Sequence, residues 1–371
     1  MSAEAASLLT GRNVEGCISA RIKIDGREYL NFFGHGYLAL GQVPEIRRAV
    51  LRVMEQGAPF ARQMPAVVGG RDRIFCAVEQ AAAAACGTQA ALYIASGYLI
   101  GAVALQALED TFDVLLLDAS AHYNLRDAAA VSARPMFTFD HCDPQSLREI
   151  ARRHIRANQR PLIVTDGVFA TTGRIPPLAD YAEVLSQYDG GRLFVDEAHA
   201  FGVVGENGRG AAEYCGVEHL TMATGATLSK AFCAQGAIVG CSAAAAARSE
   251  SLPPVRGACA GSPLSAVAAA ASLAYVARHP HLRTSLSITA EYLRARLRSI
   301  GVEVIGSPAP IVSFRWGKRS DMLELQRRLF ERGIYIYYST YIGAGSEGLI
   351  RCALFRDHSR EDIDQLIAAL E

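Results

Sequence analysis

The sequence predicts an α/β protein with room for one large and one small domain. Short apolar stretches that fit buried strands alternate with segments that fit helices over the first two thirds of the chain. One of these stretches ends in acidic residues and a histidine, at the strand end that faces the ligand crevice in an α/β sheet. The length of 371 residues is enough for two packed domains.

Composition excludes several classes of protein. Half of the residues are hydrophobic and 20% are charged, which suits a large core. The formal net charge of zero argues against a dedicated nucleic-acid binder, and no apolar run approaches the roughly 20 residues that span a bilayer. The N-terminus lacks a signal-peptide pattern, and the nine cysteines show no paired spacing and no metal-ligand cluster. We therefore expect a cytoplasmic protein with reduced thiols, no metal and no membrane span.

The first elements lead to a candidate anion site. Residues 21–32 alternate in polarity around Asp25-Gly26, which predicts a hairpin. Helices are predicted over residues 43–56 and 71–85, the second ended by a glycine. Residues 91–95 then fit a buried strand that leads into Ser96-Gly97-Tyr98 and a new helix. Backbone N–H groups at a helix N-terminus bind anions, although many such turns bind nothing.

Later strands bring further polar residues. Residues 114–118 fit a strand, and residues 161–170 fit a strand that passes into a loop. The loop after the first of these strands carries His122. From about residue 266 the chain is predicted to be helical and then to form a small α+β domain. Its strand candidates are residues 311–314, 334–338 and 349–354.

A single lysine lies in an apolar setting. Residues 224–232 read Thr-Gly-Ala-Thr-Leu-Ser-Lys-Ala-Phe, with Lys230 among small residues and hydroxyls. Burial lowers the pKa of an amine and frees the neutral nucleophile, which attacks carbonyls to form a Schiff base. The alternative is a loop lysine with a solvated head group. Thr227 and Ser229 have hydroxyls that suit a phosphate.

A carboxylate lies ahead of this lysine. Residues 191–202 form an apolar strand that ends in Asp196 and is followed by His199. An ionised carboxylate at this position suits the pyridine nitrogen of pyridoxal phosphate (PLP), because it keeps the ring able to accept electrons. The spacing from Asp196 to Lys230 leaves room for one crossover and the next strand.

With these motifs the chain resembles the PLP-dependent enzymes of fold type I, and within them the α-oxoamine synthases. The resemblance runs from about Asn31 to about Asp364. It implies a large domain with a mostly parallel seven-stranded sheet, here residues 43–265, and a small C-terminal α+β domain, residues 266–371. Residues 1–42 would form an N-terminal segment. It also implies a homodimer with the active site at the subunit interface.

The resemblance assigns roles to individual residues. Lys230 is expected to bind PLP and to act with Asp196 and His122 in catalysis; His122 would stack on the ring and His199 would bind its 3-hydroxyl oxygen. Arg351 would bind the carboxylate of an amino acid, and His35 would line the substrate side of the site. The cofactor contacts, most of them near its phosphate, would be completed by Ser96, Gly97, Tyr98, Thr227 and Ser262, the last of these reaching the neighbouring subunit's phosphate.

Three departures from the family pattern concern the substrate. His35-Gly36 stands where the family has Asn-Asp, and Ala170 stands where it has serine. The glycine-rich substrate loop is reduced in residues 60–70 to its final Val-x-Gly part. Because the family uses this loop to admit an acyl-CoA, these departures put the acyl-CoA substrate in question.

The resemblance implies condensation of an amino acid with an acyl thioester to give an α-amino ketone. The acyl donor is either an acyl-CoA or an acyl carrier protein. An alternative is a different PLP reaction on an amino acid, such as aminotransfer, decarboxylation or an aldol-type reaction. Another is a non-catalytic partner subunit, against which the presence of Lys230 counts.

Overall fold

The computed structural model describes residues 8–62, 64, 72–257 and 261–371, and its strands form three sheets. In chain order the strands are β1 (Val14–Glu15), β2 (Arg21–Ile24), β3 (Arg27–Asn31), β4 (Ala90–Ile94), β5 (Val114–Asp118), β6 (Met136–Phe139), β7 (Pro161–Asp166), β8 (Arg192–Asp196), β9 (Thr221–Thr227), β10 (Ala237–Cys241), β11 (Ile311–Phe314), β12 (Ile334–Tyr335), β13 (Tyr337–Ser339) and β14 (Leu349–Ala353).

Helices flank these strands. The α-helices in the described part of the chain are α1 (Pro44–Glu55), α2 (Arg73–Cys86), α3 (Ile100–Ala107), α4 (Tyr123–Ala130), α5 (Pro144–His154), α6 (Leu178–Leu185), α7 (Ala211–Tyr214), α8 (Ala243–Ser249), α9 (Pro253–Gly257), α10 (Pro263–Arg278), α11 (His281–Ser299), α12 (Arg319–Glu331) and α13 (Arg360–Leu370). Short 3-10 turns lie at Leu40–Gln42, Gly97–Leu99, Glu109–Thr111 and Glu218–Leu220. No helix in these residues combines the length and apolar character needed to cross a membrane.

The central sheet has seven strands in the order β4-β10-β9-β8-β7-β5-β6. Strands β5 to β9 pair in parallel, whereas β10 is antiparallel to both of its neighbours. Every residue of β5 and β7 is buried, as expected for a sheet that helices cover on both faces. The mostly parallel seven-stranded sheet that the family resemblance implied is therefore confirmed, and its carboxyl edge gathers the residues of the candidate site.

Local turn and capping residues determine where several elements begin or end. Asp25 and Gly26 both have positive φ, 48° and 79°, as a tight hairpin turn requires. Gly87 ends α2 in the left-handed conformation, and the Ser96 hydroxyl accepts a hydrogen bond from the backbone of Tyr98 at the start of the next helical segment.

The N-terminal strands join the C-terminal part of the chain. Strand β12 pairs in parallel with β3, so β1, β2, β3 and β12 form one sheet. Strands β11, β14 and β13 form a third, antiparallel sheet. The single strand predicted over residues 334–338 is wrong: buried Ile336 separates β12 from β13, because the chain changes sheets there. The predicted domain boundaries stay a prediction.

Candidate active site

Two carboxylates meet at the carboxyl ends of neighbouring strands. Asp166 ends β7, Asp196 ends β8, and the two residues face each other in register. Both side chains are buried. Burial, reinforced by the charge of Asp196, raises the pKa of Asp166 well above its usual range, although the backbone N–H of His122 donates to Asp166 over 2.9 Å. The sheet edge thus carries two buried carboxyl groups side by side, of which Asp166 binds a proton more tightly than a free carboxylate does.

Lys230 follows the next strand of the same sheet. It lies three residues after β9, in a loop closed by hydrogen bonds between Leu228 and Gly236 and between Leu228 and Ala234. Burial lowers the pKa of the Lys230 amine to about 8, against the opposing attraction of Asp196 and Asp166. The sequence-based expectation of a lysine with a lowered pKa agrees with this environment.

The Ser96-Gly97 turn lies against Thr227. A Cβ atom on Gly97 would be 2.8 Å from both Cβ and Oγ1 of Thr227, so this close approach requires glycine. The Thr227 hydroxyl lies 2.8 Å from that of Ser229. Tyr98 is half exposed and its hydroxyl bonds to Asp127. Hydroxyls and the start of a helical segment therefore converge at the end of β9, the arrangement that binds phosphate groups.

His199 belongs to a buried polar cluster with Tyr37. The Tyr37 hydroxyl lies 2.7 Å from Nδ1 of His199 and accepts a longer hydrogen bond of 3.4 Å from Arg351. The rings of His35 and His199 meet edge to face with centroids 5.5 Å apart. Burial, together with nearby Lys230 and Arg351, holds the pKa of both histidines well below the usual range. Both imidazoles are therefore neutral groups in this site.

Arg351 projects from β14 into the same cluster. Its Nε donates to the carbonyl of Ala170 over 2.7 Å, and one terminal nitrogen contacts the carbonyl of Gly34 at 3.5 Å. The side chain is buried, and its guanidinium lies 5.9 Å from the ring centre of Phe33. The buried cation is held mainly by neutral acceptors, which leaves it suited to bind a carboxylate.

His122 directly precedes α4, and its backbone N–H contacts Asp166. Its Nδ1 is 2.7 Å from the side-chain oxygen of Asn124, and its Nε2 is 3.0 Å from the hydroxyl of Tyr341. Asn124 also donates from Nδ2 to Asp196 over 2.9 Å. The structure therefore brings His122 and Asp196 together through one amide.

Ser262 is placed beside the Ser96 turn by its neighbour. Its hydroxyl donates to the carbonyl of Phe60 over 3.2 Å, and Gly261 packs against Ala95. Residues 258–260 lie outside the described part of the chain, and so does most of the predicted substrate loop at residues 60–70. The reach of Ser262 toward a neighbouring subunit stays a prediction.

A cavity of about 510 Å³ opens beside His35 and Ser229. Its lining includes Gly36 and Gly41, together with Ser229 and Cys233 from the loop that carries Lys230. Most of its walls are apolar. The apolar lining consists of Leu9, Val14, Ile18, Ile22 and Phe33.

Four residues of the candidate active site were not predicted from the sequence. Asp166 lies within the predicted strand and loop of residues 161–170, and in the structure it ends β7 as Asp196 ends β8. Asn124 lies two residues from His122, but its amide is uninformative without the position of Asp196. Tyr37 and Tyr341 come from distant segments, and only the tertiary structure brings them to His199 and His122.

One further group of possible metal ligands is present among the described residues. Atoms of Asp118, His141 and Cys142 lie within 4.8 Å of one another. The Asp118 oxygens already accept from the backbone of Ser120 and Cys142, and one lies 3.0 Å from Nδ1 of His141. These bonds account for the group as a structural network, and the expectation of no metal stays a prediction.

Comparison with known proteins places the chain in a family. The aminotransferase class I and II family matches residues 35–370. The chain belongs to this family of PLP-dependent transferases, which confirms the predicted fold type and cofactor.

Within the family, particular relatives define the likeness further. The chain is 32% identical to 8-amino-7-oxononanoate synthase of Geotalea daltonii over 374 residues, covering 97% of this chain and 92% of the relative. Serine palmitoyltransferase of Sphingomonas wittichii has a similar structure, with a TM-score of 0.89, 23% identity and coverage of 98% and 91% of the two chains. A serine palmitoyltransferase from S. paucimobilis with a bound PLP–myriocin aldimine gives a TM-score of 0.87, 21% identity and coverage of 96% and 90%. The predicted likeness to the α-oxoamine synthases is confirmed.

Proposed function

We propose that the protein is a PLP-dependent enzyme that joins an amino acid to the acyl group of a thioester and forms an α-amino ketone. The observation that carries this proposal is Lys230, whose pKa is lowered to about 8, at a sheet edge that also holds Asp166 and Asp196. The likeness to 8-amino-7-oxononanoate synthase over 97% of the chain supports the type of reaction.

The residues present fit PLP. Gly97 lets the backbone lie against Thr227, where a side chain would collide. The hydroxyls of Ser96, Thr227 and Ser229 lie beside this turn and could bind a phosphate group. We assign Asp196 to the pyridine nitrogen, His199 to the 3-hydroxyl oxygen, His122 to the ring face and Lys230 to the covalent attachment. Bound PLP supplies an aldehyde carbon for an amine and a conjugated ring that accepts an electron pair.

Arg351 and Lys230 act on different groups of the amino acid, its carboxylate and its α-carbon. The Arg351 guanidinium binds the substrate carboxylate in competition with weak contacts to Gly34 and Tyr37. The Lys230 amine, with its lowered pKa, takes a proton from the α-carbon and returns one later. Neutral His35 and His199 line the pocket without adding positive charge that would compete for the carboxylate.

The cavity beside His35 supports an acyl donor with an apolar part. Its volume of about 510 Å³ and its largely apolar walls suit hydrocarbon rather than a charged group. The same cavity accepts an acyl chain delivered by coenzyme A or by a carrier protein. We further propose a homodimer and a cytoplasmic location, both of which stay predictions.

The test uses purified, PLP-loaded protein with a panel of amino acids and acyl-CoA thioesters, and measures release of free thiol. We expect release that depends on one amino acid and disappears in Lys230→Ala. The chain has three lysines, and exposed Lys23 provides the matched control, since Lys23→Ala is expected to keep full activity.

The outcomes separate the alternatives. Spectral changes of the cofactor without thiol release direct the assay to acyl carrier protein donors, or to aminotransfer and decarboxylation. Turnover and cofactor absorbance that both survive in Lys230→Ala contradict the central assignment. No spectral response to any amino acid favours the non-catalytic subunit.

A further inference from the structure

A continuous series of hydrogen bonds connects a buried carboxylate of the site to a partly exposed tyrosine. Asp196 accepts from Nδ2 of Asn124 over 2.9 Å, Oδ1 of Asn124 lies 2.7 Å from Nδ1 of His122, and Nε2 of His122 lies 3.0 Å from the Tyr341 hydroxyl. Asp196 and Asn124 are buried, whereas Tyr341 is 40% exposed. Four side chains from β8, α4 and the loop after β13 are thus linked in one chain.

The direction of these bonds follows from Asp196. A carboxylate only accepts, so the Asn124 amide must turn its nitrogen toward Asp196 and its oxygen toward His122. That oxygen also only accepts, so Nδ1 of His122 carries a proton, and in a neutral imidazole Nε2 is then the acceptor. The backbone N–H of Asn124 also lies 3.3 Å from Nδ1, but the contact of 2.7 Å to the amide oxygen is the shorter one. Tyr341 therefore donates to Nε2.

The loop that supplies Tyr341 is itself anchored. Ile342 directly follows Tyr341 in the chain, and its carbonyl accepts a hydrogen bond of 2.7 Å from the Thr171 hydroxyl. The Ser313 hydroxyl on β11 in turn donates to the Thr171 carbonyl over 2.6 Å. These bonds tie the loop between β13 and β14 to the segment that follows β7, which keeps the Tyr341 hydroxyl opposite His122.

We propose that Asn124 and Tyr341 are positioning residues that hold the His122 ring in one tautomer and one orientation beside Asp196. This role rests on the proposed function, in which the His122 ring faces the cofactor. Asn124 sets the tautomer through Asp196, and Tyr341 stops the ring from rotating about its side-chain bonds. A hydrogen bond at each ring nitrogen fixes an imidazole more firmly than one bond does.

The first test observes His122 directly in protein labelled with ¹⁵N-histidine. There are nine histidines, and His122→Gln assigns the signal by its loss. We expect the Nδ1–H tautomer with a hydrogen-bonded Nε2 in the wild type, and a shift of the Nε2 signal toward the unbonded value in Tyr341→Phe. Tyr123→Phe is the matched control, because Tyr123 is 46% exposed and the centre of its ring lies 5.4 Å from that of Tyr341.

The second test measures turnover of the PLP-loaded enzyme. Loss of one neutral hydrogen bond is expected to lower kcat about fivefold in Tyr341→Phe with little change in KM, and loss of the bonds to a charged partner to lower it more than tenfold in Asn124→Ala. An Nε2–H tautomer in the wild type overturns the proposal, as does a Tyr341→Phe spectrum that matches Tyr123→Phe. Wild-type protein that fails to bind PLP contradicts the proposed function, while the ¹⁵N spectrum still decides the hydrogen bonds.

Discussion

At the scale of single residues, the site depends on how burial and charge oppose each other at Lys230. Removing the amine from water disfavours its cation, whereas Asp196 and Asp166 favour it. Burial dominates, and the positive charge of Arg351 adds to it. The pKa of about 8 leaves a useful fraction of neutral amine near neutral pH, unlike an ordinary lysine.

This balance predicts how PLP uptake depends on pH. Only the neutral amine attacks the aldehyde, so the rate of covalent uptake by cofactor-free protein should rise about tenfold per pH unit below 8 and level off above it. Trapping with borohydride followed by mass spectrometry measures the rate at Lys230 among the three lysines. A rate that keeps rising to pH 10 would contradict the lowered pKa.

Gly97 offers a second test at this scale. A methyl group there would lie 2.8 Å from Thr227, closer than real Cβ contacts come, so Gly97→Ala should displace the turn and weaken PLP binding more than tenfold. Equilibrium titration of the cofactor measures the change. Gly306→Ala is the control, since a Cβ there meets no atom within 4 Å. Equal PLP affinity in the two variants would remove the phosphate role from this turn.

At the scale of elements, the residue after Asp196 stabilises a helix. The buried Glu197 side chain accepts from the backbone N–H groups of Ala211 and Ala212, at 2.8 and 2.9 Å, where α7 begins. Gly167 and Gly210 make room for it, because a Cβ at either would come within 2.4 Å of its carboxyl group. Neighbouring residues of one strand end thus serve different purposes, Asp196 in the site and Glu197 in the fold.

Glu197 should make stability depend on pH. Burial raises its pKa from 4.5 to about 7, against the two backbone donors. The folded protein then holds a proton on Glu197 that the unfolded chain releases. The contribution of this proton to the free energy of unfolding is fully present below about pH 4.5 and is lost as the pH rises to about 7. The pKa shift of Glu197 corresponds to a change of roughly 3 kcal/mol in the free energy of unfolding.

Denaturant unfolding of wild type and Glu197→Gln at pH 5 and pH 7.5 measures this effect. The free energy of unfolding of the wild type should fall more than that of the variant between the two pH values, since glutamine does not titrate there. Groups that titrate in both proteins cancel in the comparison. Parallel pH profiles would show that the pKa of Glu197 is not raised.

At the scale of the whole molecule, the N-terminal segment reaches the site through the C-terminal sheets. Pairing of β3 with β12 is continued by bonds from the backbone of Ala353 to Phe32 and of Arg356 to Tyr37. These bonds carry His35 and Tyr37 to Arg351, which lies in β14. The substrate side of the site is thus assembled from both ends of the chain.

The expected dimer is the prediction at this scale. Light scattering during size-exclusion chromatography should give a mass of about twice 39.7 kDa. Hydrophobic side chains on the surface of the single chain are consistent with this, since Phe60 and Val131 are 76% and 73% exposed. A mass of one chain at micromolar concentration, together with full activity, would rule out an active site that two subunits share.

The α/β class, most strand positions, and the lysine and carboxylate at the sheet edge could be predicted from the amino-acid sequence alone. These follow from local patterns: apolar runs of strand length, a glycine stop after α2, and polar residues directly after strands. Residues 114–118 form the predicted strand for this reason, and the hairpin predicted over residues 21–32 from its alternation around Asp25-Gly26 forms as β2 and β3.

Contacts between residues far apart in the chain are evident only from the folded protein. The pairing of β12 with β3, the contact of Tyr37 with His199 and the contact of Tyr341 with His122 join segments 162 or more residues apart. No local pattern encodes such contacts, because they depend on how the sheets pack. The raised pKa of Asp166 has the same origin, since it arises from burial and from the neighbouring strand that brings Asp196 alongside.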